Sequence, residues 1–184
     1  MPVAFVLAFD EKSSFYLTQI SKILKKSKIT FYDLKVKPHI TLTSYKEIDV
    51  EIAQNRLTQF CEELEPFKIQ FSSIGYFPSE ESVLFLNPKA NFELLNIQQN
   101  LLKHFKDYKP EFSSNEWIPH CTLAMYVSKK KISKAIDIIK NQITMTREQP
   151  FYVSTDSINI IDFKRDPLKI NSIFEFKVKN IGSF

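Results

Sequence analysis

Two stretches of this chain share one frame. Residues 38–45 read PHITLTSY and residues 119–126 read PHCTLAMY, so each runs Pro-His, any residue, Thr-Leu, any two residues, Tyr. The chain holds only three histidines, and two of them occupy this setting. The frame sits inside a longer repetition. Apolar, strand-like runs at residues 3–9 and 83–86 each precede a helical pattern. Tyr16, Ile20, Ile23 and Leu24 space the first helix; Leu94, Ile97, Leu101 and Phe105 space the second, with Asn91 placed to cap its start. A further amphipathic pattern follows each histidine stretch. Ala53, Leu57, Phe60, Cys61 and Leu64 line one face of the first; Ile132, Ala135, Ile136, Ile139 and Ile143 line one face of the second. Each then closes on Pro-Phe and an alternating strand, PFKIQFSSI from Pro66 and PFYVSTDSI from Pro150.

Corresponding points lie 80 residues apart at the first strands, 81 at the histidines and 84 at the Pro-Phe pairs. A strand-helix-strand-helix-strand unit thus occurs twice, roughly over residues 1–80 and 81–184. The 184 residues are expected to form one domain with that internal repeat. Its class is α+β, because short strands broken by proline favour antiparallel sheets with helices outside them.

Composition removes several function classes. Only Gly75 and Gly182 are glycine, so no glycine-rich phosphate loop of either the nucleotide-triphosphate or the dinucleotide type can be built. The net charge of +4 leans towards anionic ligands. Arginine, which grips phosphate through a two-pronged fork, occurs only at positions 56, 147 and 165. The opening run meets acid at Asp10 without a basic flank, which fits a first strand better than a signal peptide. No apolar run approaches the roughly 18 residues of a membrane span, so a cytoplasmic location is expected, with no membrane partner. Cys61 and Cys121 are too few for a disulfide framework.

Along a strand, residues two apart share a face. His39, Thr41, Thr43 and Tyr45 are therefore expected on one side, and His120, Thr122, Ala124 and Tyr126 on the matching side of the other stretch. Units packed about a pseudo-twofold axis would set these polar faces across a groove. Two imidazoles with ordinary pKa values near ~6.5 can then divide the work at neutral pH, one neutral as base and one protonated as acid. Threonine hydroxyls two residues along can donate to a central anion. A single histidine on a strand is usually structural; a matched pair is not. His104, in KHFK with no threonine partner, is the internal control and is expected at a surface or boundary. Cys121 adjoins His120, but neighbouring strand residues face opposite ways, which argues against a thiol nucleophile. No metal site is expected, since there is no His-x-x-x-His, no close cysteine pair and no acid within either stretch. A non-catalytic nucleotide or RNA-end binder that keeps the groove is the alternative, although a binder has no need of two imidazoles.

The paired His-x-Thr motifs, His39-Ile40-Thr41 and His120-Cys121-Thr122, resemble those of the two-histidine (2H) phosphoesterase superfamily, and in particular its LigT-like branch of 2′-5′ RNA ligases and cyclic phosphodiesterases. Residues 74–86, IGYFPSEESVLFL, are similar to the segment which that family places between its motifs. The resemblance spans nearly the whole chain. It implies a bilobal, pseudo-twofold α+β fold with a central cleft, and metal-free, cofactor-free action on 2′,3′-cyclic phosphates or 2′-5′ linkages of RNA ends, oligonucleotides or cyclic nucleotides. No obligate protein partner is implied. Carried over by position, His39 protonates the leaving oxygen, His120 activates water, and Thr41 and Thr122 hold the phosphate. The chain departs from the pattern at Ala124-Met125, where many LigT-like members carry Ala-Arg. Lys46, Lys129 and Arg165 are the candidates to supply that charge. Tyr45 and Tyr126 are the expected base-stacking residues, with Phe9, Phe77 and Trp117 behind them.

Overall fold

The computed structural model describes residues 3–89, 91–145, 150–163 and 169–176, and in them the repeated unit is visible strand for strand. The first half supplies β1 (Val3–Phe9), α1 (Glu11–Lys26), β2 (His39–Tyr45), α2 (Val50–Cys61) and β3 (Lys68–Phe77). The second supplies β4 (Glu81–Pro88), α3 (Phe92–His104), β5 (Cys121–Ser128), α4 (Ile132–Met145) and β6 (Tyr152–Asp162). A last strand, β7 (Lys169–Glu175), has no counterpart in the repeat. Three helices begin on side-chain caps. Asp10 accepts from the Ser13 N–H, Asp49 from Glu51 and Ile52, and Asn91, the cap expected from sequence, from Leu94. Each cap satisfies backbone donors that the first helical turn leaves unpaired.

The strand pairings are antiparallel throughout the described residues. The order is β1-β2-β5-β4-β3-β6-β7, and β1 also pairs with β6, so the row returns on itself. β3, from the first half, lies against β4 of the second, while β6, from the second, lies against β1 of the first. Each half lends its third strand to the other's sheet. The helices obey the same exchange, α1 packing on α4 and α2 on α3.

β1 sits between β2 and β6 and is buried on both faces, which is why its sequence is apolar without a break. Val3, Phe5, Leu7 and Phe9 point to the main core with the helices. Ala4 and Val6 point the other way and, with Ile161, make a second small apolar floor.

The expected alternation along the two histidine stretches is broken, and in both copies at the same place. On β2, Thr41 opposes Val6 and Thr43 opposes Phe5, which leaves Leu42 as an extra residue. On β5, Thr122 opposes Phe85 and Ala124 opposes Leu84, which leaves Leu123 as the extra one. A one-residue bulge reverses the facing of everything beyond it. Thr43 and Tyr45 therefore turn into the core, 0 % and 1 % exposed, and Ala124 does the same at 2 %. The leucine common to both frames is the bulge itself.

Candidate active site

β2 and β5 meet at one register position, Ile40 against Cys121, and both of these side chains are fully buried. His39, Thr41, His120 and Thr122 flank that pair on the opposite face, each half-buried. His39 and Thr41 lie one residue either side of Ile40, and His120 and Thr122 one residue either side of Cys121. The four residues singled out by the duplicated motif are thus gathered on one surface. Cys121 faces inward, where burial pushes its thiol up to about 12. It is no thiolate at neutral pH.

The histidines are held alike. Nδ1 of His39 lies 2.7 Å from the Lys37 carbonyl, and Nδ1 of His120 lies 2.7 Å from the Ile118 carbonyl. A carbonyl only accepts, so each Nδ1 carries the proton and donates it, leaving Nε2 free to take or give one. The intervening Pro38 and Pro119 explain this geometry. A residue before proline is confined to extended conformations, which fixes where its carbonyl points. Trp117 steadies the same strand, donating its indole N–H to the Thr41 carbonyl at 2.8 Å. The rings also sense each other. Burial lowers the pKa of His39 from its ordinary value, the Lys37 carbonyl opposes that, and the charge on His120 lowers it further.

The two rings have different surroundings. His120 is packed by aromatics, with Phe77 edge-on at 5.0 Å and Phe85 tilted at 5.0 Å. Phe85 in turn lies over Gly75, where an added Cβ would run into the phenyl ring and come within 2.8 Å of Asn87 Nδ2. Phe85 is only 4 % exposed, so its ring cannot swing away without displacing Phe77 or His120. Gly75→Ala should therefore cost about 1–3 kcal/mol of stability by overpacking, and should reduce any His120-dependent rate as well. Thermal unfolding and turnover measured on one preparation check this; no change in either would show that the ring has room. Phe85 and Gly75 were not singled out from sequence. An isolated glycine within a strand pattern is the signal that pointed there, since it marks close approach by another group.

Other expected residues lie elsewhere. Tyr45 is a core residue in ring contact with Phe5, Phe105 and Tyr108, and burial pushes its phenol up to about 12. The bulge at Leu42 put it there, and it presents no ring to the cleft. Tyr126 is half exposed, but it occupies a left-handed residue of a second irregularity in β5 (φ 56°) and packs edge-on to Tyr32 at 5.0 Å. Six residues of strand place it roughly 20 Å from His120, so it does not line the motif face. Phe9 is 4 % exposed and packs edge-on against Phe71 in the core. Lys46 follows Tyr45 and pairs with Glu111 at 3.8 Å, while Lys129 opens the single turn Lys129–Lys131 beyond β5. Strand lengths again set both more than roughly 20 Å from the motif histidines. Arg165 lies outside the described residues. His104 is at the end of α3, its Nε2 3.1 Å from the Arg56 carbonyl and its ring on Phe60. That is a helix-packing role.

Among the described residues, no group of three or more His, Cys, Asp or Glu is arranged to hold a metal ion, and no helix is long and apolar enough to cross a membrane.

A family described as the 2′-5′ RNA ligase superfamily matches residues 17–167. No curated protein matches in sequence. Among solved structures, Escherichia coli LigT in complex with 3′-AMP is 14 % identical, with a TM-score of 0.62 over 97 % of this chain and 100 % of that one. TT0787 of Thermus thermophilus is 12 % identical, with a TM-score of 0.60 over 97 % and 100 %. Usb1 of Kluyveromyces marxianus with uridine monophosphate is 10 % identical, with a TM-score of 0.50 over 96 % and 97 %. At such identities the likeness is one of fold.

Proposed function

The chain belongs to the 2′-5′ RNA ligase superfamily, and from that premise we propose that it is a phosphoesterase that hydrolyses 2′,3′-cyclic phosphates or 2′-5′ phosphodiesters of RNA ends, oligonucleotides or cyclic nucleotides. The observation that carries this reading is the matched pair of imidazoles. Each is tied through Nδ1 to the carbonyl two residues before it, each has a threonine beside it, and both stand on one face. The solved relatives bound to 3′-AMP and uridine monophosphate lend support for a nucleotide ligand.

The phosphate sits between the rings, with the Thr41 and Thr122 hydroxyls donating to its oxygens. One imidazole takes a proton from water as the water oxygen bonds to phosphorus. The phosphorus–oxygen bond on the far side breaks, and the other imidazolium protonates the oxygen that leaves. The lowered proton affinity of His39 favours it as the base, because a base must be neutral when substrate arrives. That is the reverse of the order implied by family resemblance. It fixes the sign of a pH effect. His39 becomes neutral above its depressed pKa, so the rising limb of kcat/KM should lie below pH ~6.5, the ordinary histidine value. A rising limb above that value would restore His39 to the acid role.

The deciding assay is incubation with each 2′,3′-cyclic nucleotide in EDTA, with the product isomer read by phosphorus NMR. Turnover unaffected by chelator is expected. Loss with EDTA and recovery with a divalent ion would overturn the imidazole mechanism.

A further inference from the structure

The halves of the cleft come from one repeated unit, yet they are furnished differently. Beside Thr122 stands Phe85, and opposite Phe85 on β3 stands Gly75. The matching positions in the other half are Val6 beside Thr41 and, opposite Val6 on β6, Asn159. A phenyl ring over a glycine fills the first set. A valine beside an asparagine leaves space in the second, and a cavity of about 290 Å³ opens there, lined by Val6, Lys37, His39, Asp156, Asn159 and Glu175 among others.

The polar character of this cavity is one-sided. Asn159 is 8 % exposed, and among the described residues its Oδ1 is buried without a hydrogen-bond partner. Native structures leave few such atoms unexplained. Ser157, on the same strand face, already donates its hydroxyl proton to Asp156 Oδ1 at 2.7 Å, so what it has left to offer is lone pairs. Asp156 and Glu175 add carboxylates, which when ionised only accept. Lys37 is the cation among the six residues named. A ligand here meets more acceptors than donors, and a second phosphate would meet the carboxylates of Asp156 and Glu175.

We propose that this cavity is the subsite for a neutral, donor-bearing part of the substrate, either a ribose hydroxyl or an exocyclic base amine, with the Asn159 side chain as the group that reads it. The inference rests on the reading above, which seats the reacting phosphate between the histidines. Asn159 is a specificity residue here, and not part of the acid–base machinery. At the matching place beside His120 the Phe85 ring fills the space, so the substrate has one orientation across the pseudo-twofold axis.

Two pairs of substrates separate the donor sources. The 2′,3′-cyclic phosphates of adenosine and purine riboside differ by the amine; those of adenosine and 5′-deoxyadenosine differ by a hydroxyl. Wild-type protein should prefer the donor-bearing member of one pair by roughly fivefold or more in kcat/KM, the worth of one hydrogen bond. Asn159→Leu, of similar size, should abolish that preference, bringing kcat/KM on the donor-bearing member down towards that on its partner. Preferences untouched by Asn159→Leu, or an equal loss on every substrate, would overturn the assignment. A wild-type measurement covers a variant that does not fold: adding a 5′-phosphate should lower kcat/KM, and equal turnover would overturn the exclusion of phosphate. If wild-type protein turns over none of these compounds, it is the proposed function that fails. Calorimetric binding of the corresponding 3′-monophosphates, compared within the same pairs, then tests the subsite on its own.

Discussion

His39→Ala and His120→Ala should each lose on the order of 10²–10⁴ in turnover, the usual scale for one positioned acid or base. Neither ring supports the core, since both are half-buried at the cleft face, so the variants should remain folded. The double variant should lose less than the product of the single losses, because each ring has its full effect only when the other is present. His104→Ala makes the control. Its ring bridges α3 to the Arg56 carbonyl of α2, so stability should fall slightly and the rate per folded molecule should not change. Rates and circular dichroism on the four proteins check this. A freely removable motif histidine, or a crippling His104→Ala, would make the duplicated frame a relic of folding.

The largest stability effect is expected at Tyr45. It is among the biggest fully buried side chains, packed by Phe5, Phe105 and Tyr108. Tyr45→Ala should cost about 3–5 kcal/mol, as truncation of a large buried aromatic does, with KM nearly unchanged for whatever protein stays folded. Tyr45→Phe separates ring from hydroxyl. That hydroxyl is buried beside the Thr43 hydroxyl, and among the described residues neither makes a hydrogen bond of ordinary geometry. Removing an unpaired polar group is neutral or stabilising, so Tyr45→Phe should match or exceed the wild-type melting temperature. A raised KM in Tyr45→Ala with an unchanged melting temperature would return the residue to ligand binding.

These two expectations mark what sequence shows and what it hides. Hydrophobic period and order are local, so the twice-repeated unit, the Asn91 cap and the shared face of each His-x-Thr were legible. The Leu42 and Leu123 bulges were not, because a bulge is defined by what lies opposite, and Thr41 and Thr43 meet Val6 and Phe5 only in the assembled sheet. The cost was the misplacement of Tyr45 and of Ala124. Asn159 was hidden for a related reason. It sits in an alternating strand like any polar residue, and only its register with Val6 sets it on the cleft floor. Gly75 is in plain view as one of two glycines, but the Phe85 ring that needs its missing side chain comes to it only in the folded sheet.

The exchange of third strands makes each repeat incomplete as a folding unit. Residues 1–77 alone hold β1 without β6 beside it, and residues 81–163 hold β4 without β3. Either fragment would expose an unpaired apolar edge, a ready template for association. Severing the short turn at residues 78–80 should therefore yield two pieces that fold by recognising each other, a split protein whose reassembly can be followed by mixing. A polypeptide of one repeat could satisfy its edges only against a second copy of itself. Such a homodimer would carry one histidine per subunit and a groove on its dyad, and joining its ends would have freed the two walls to diverge into one of phenyl rings and one of acceptors.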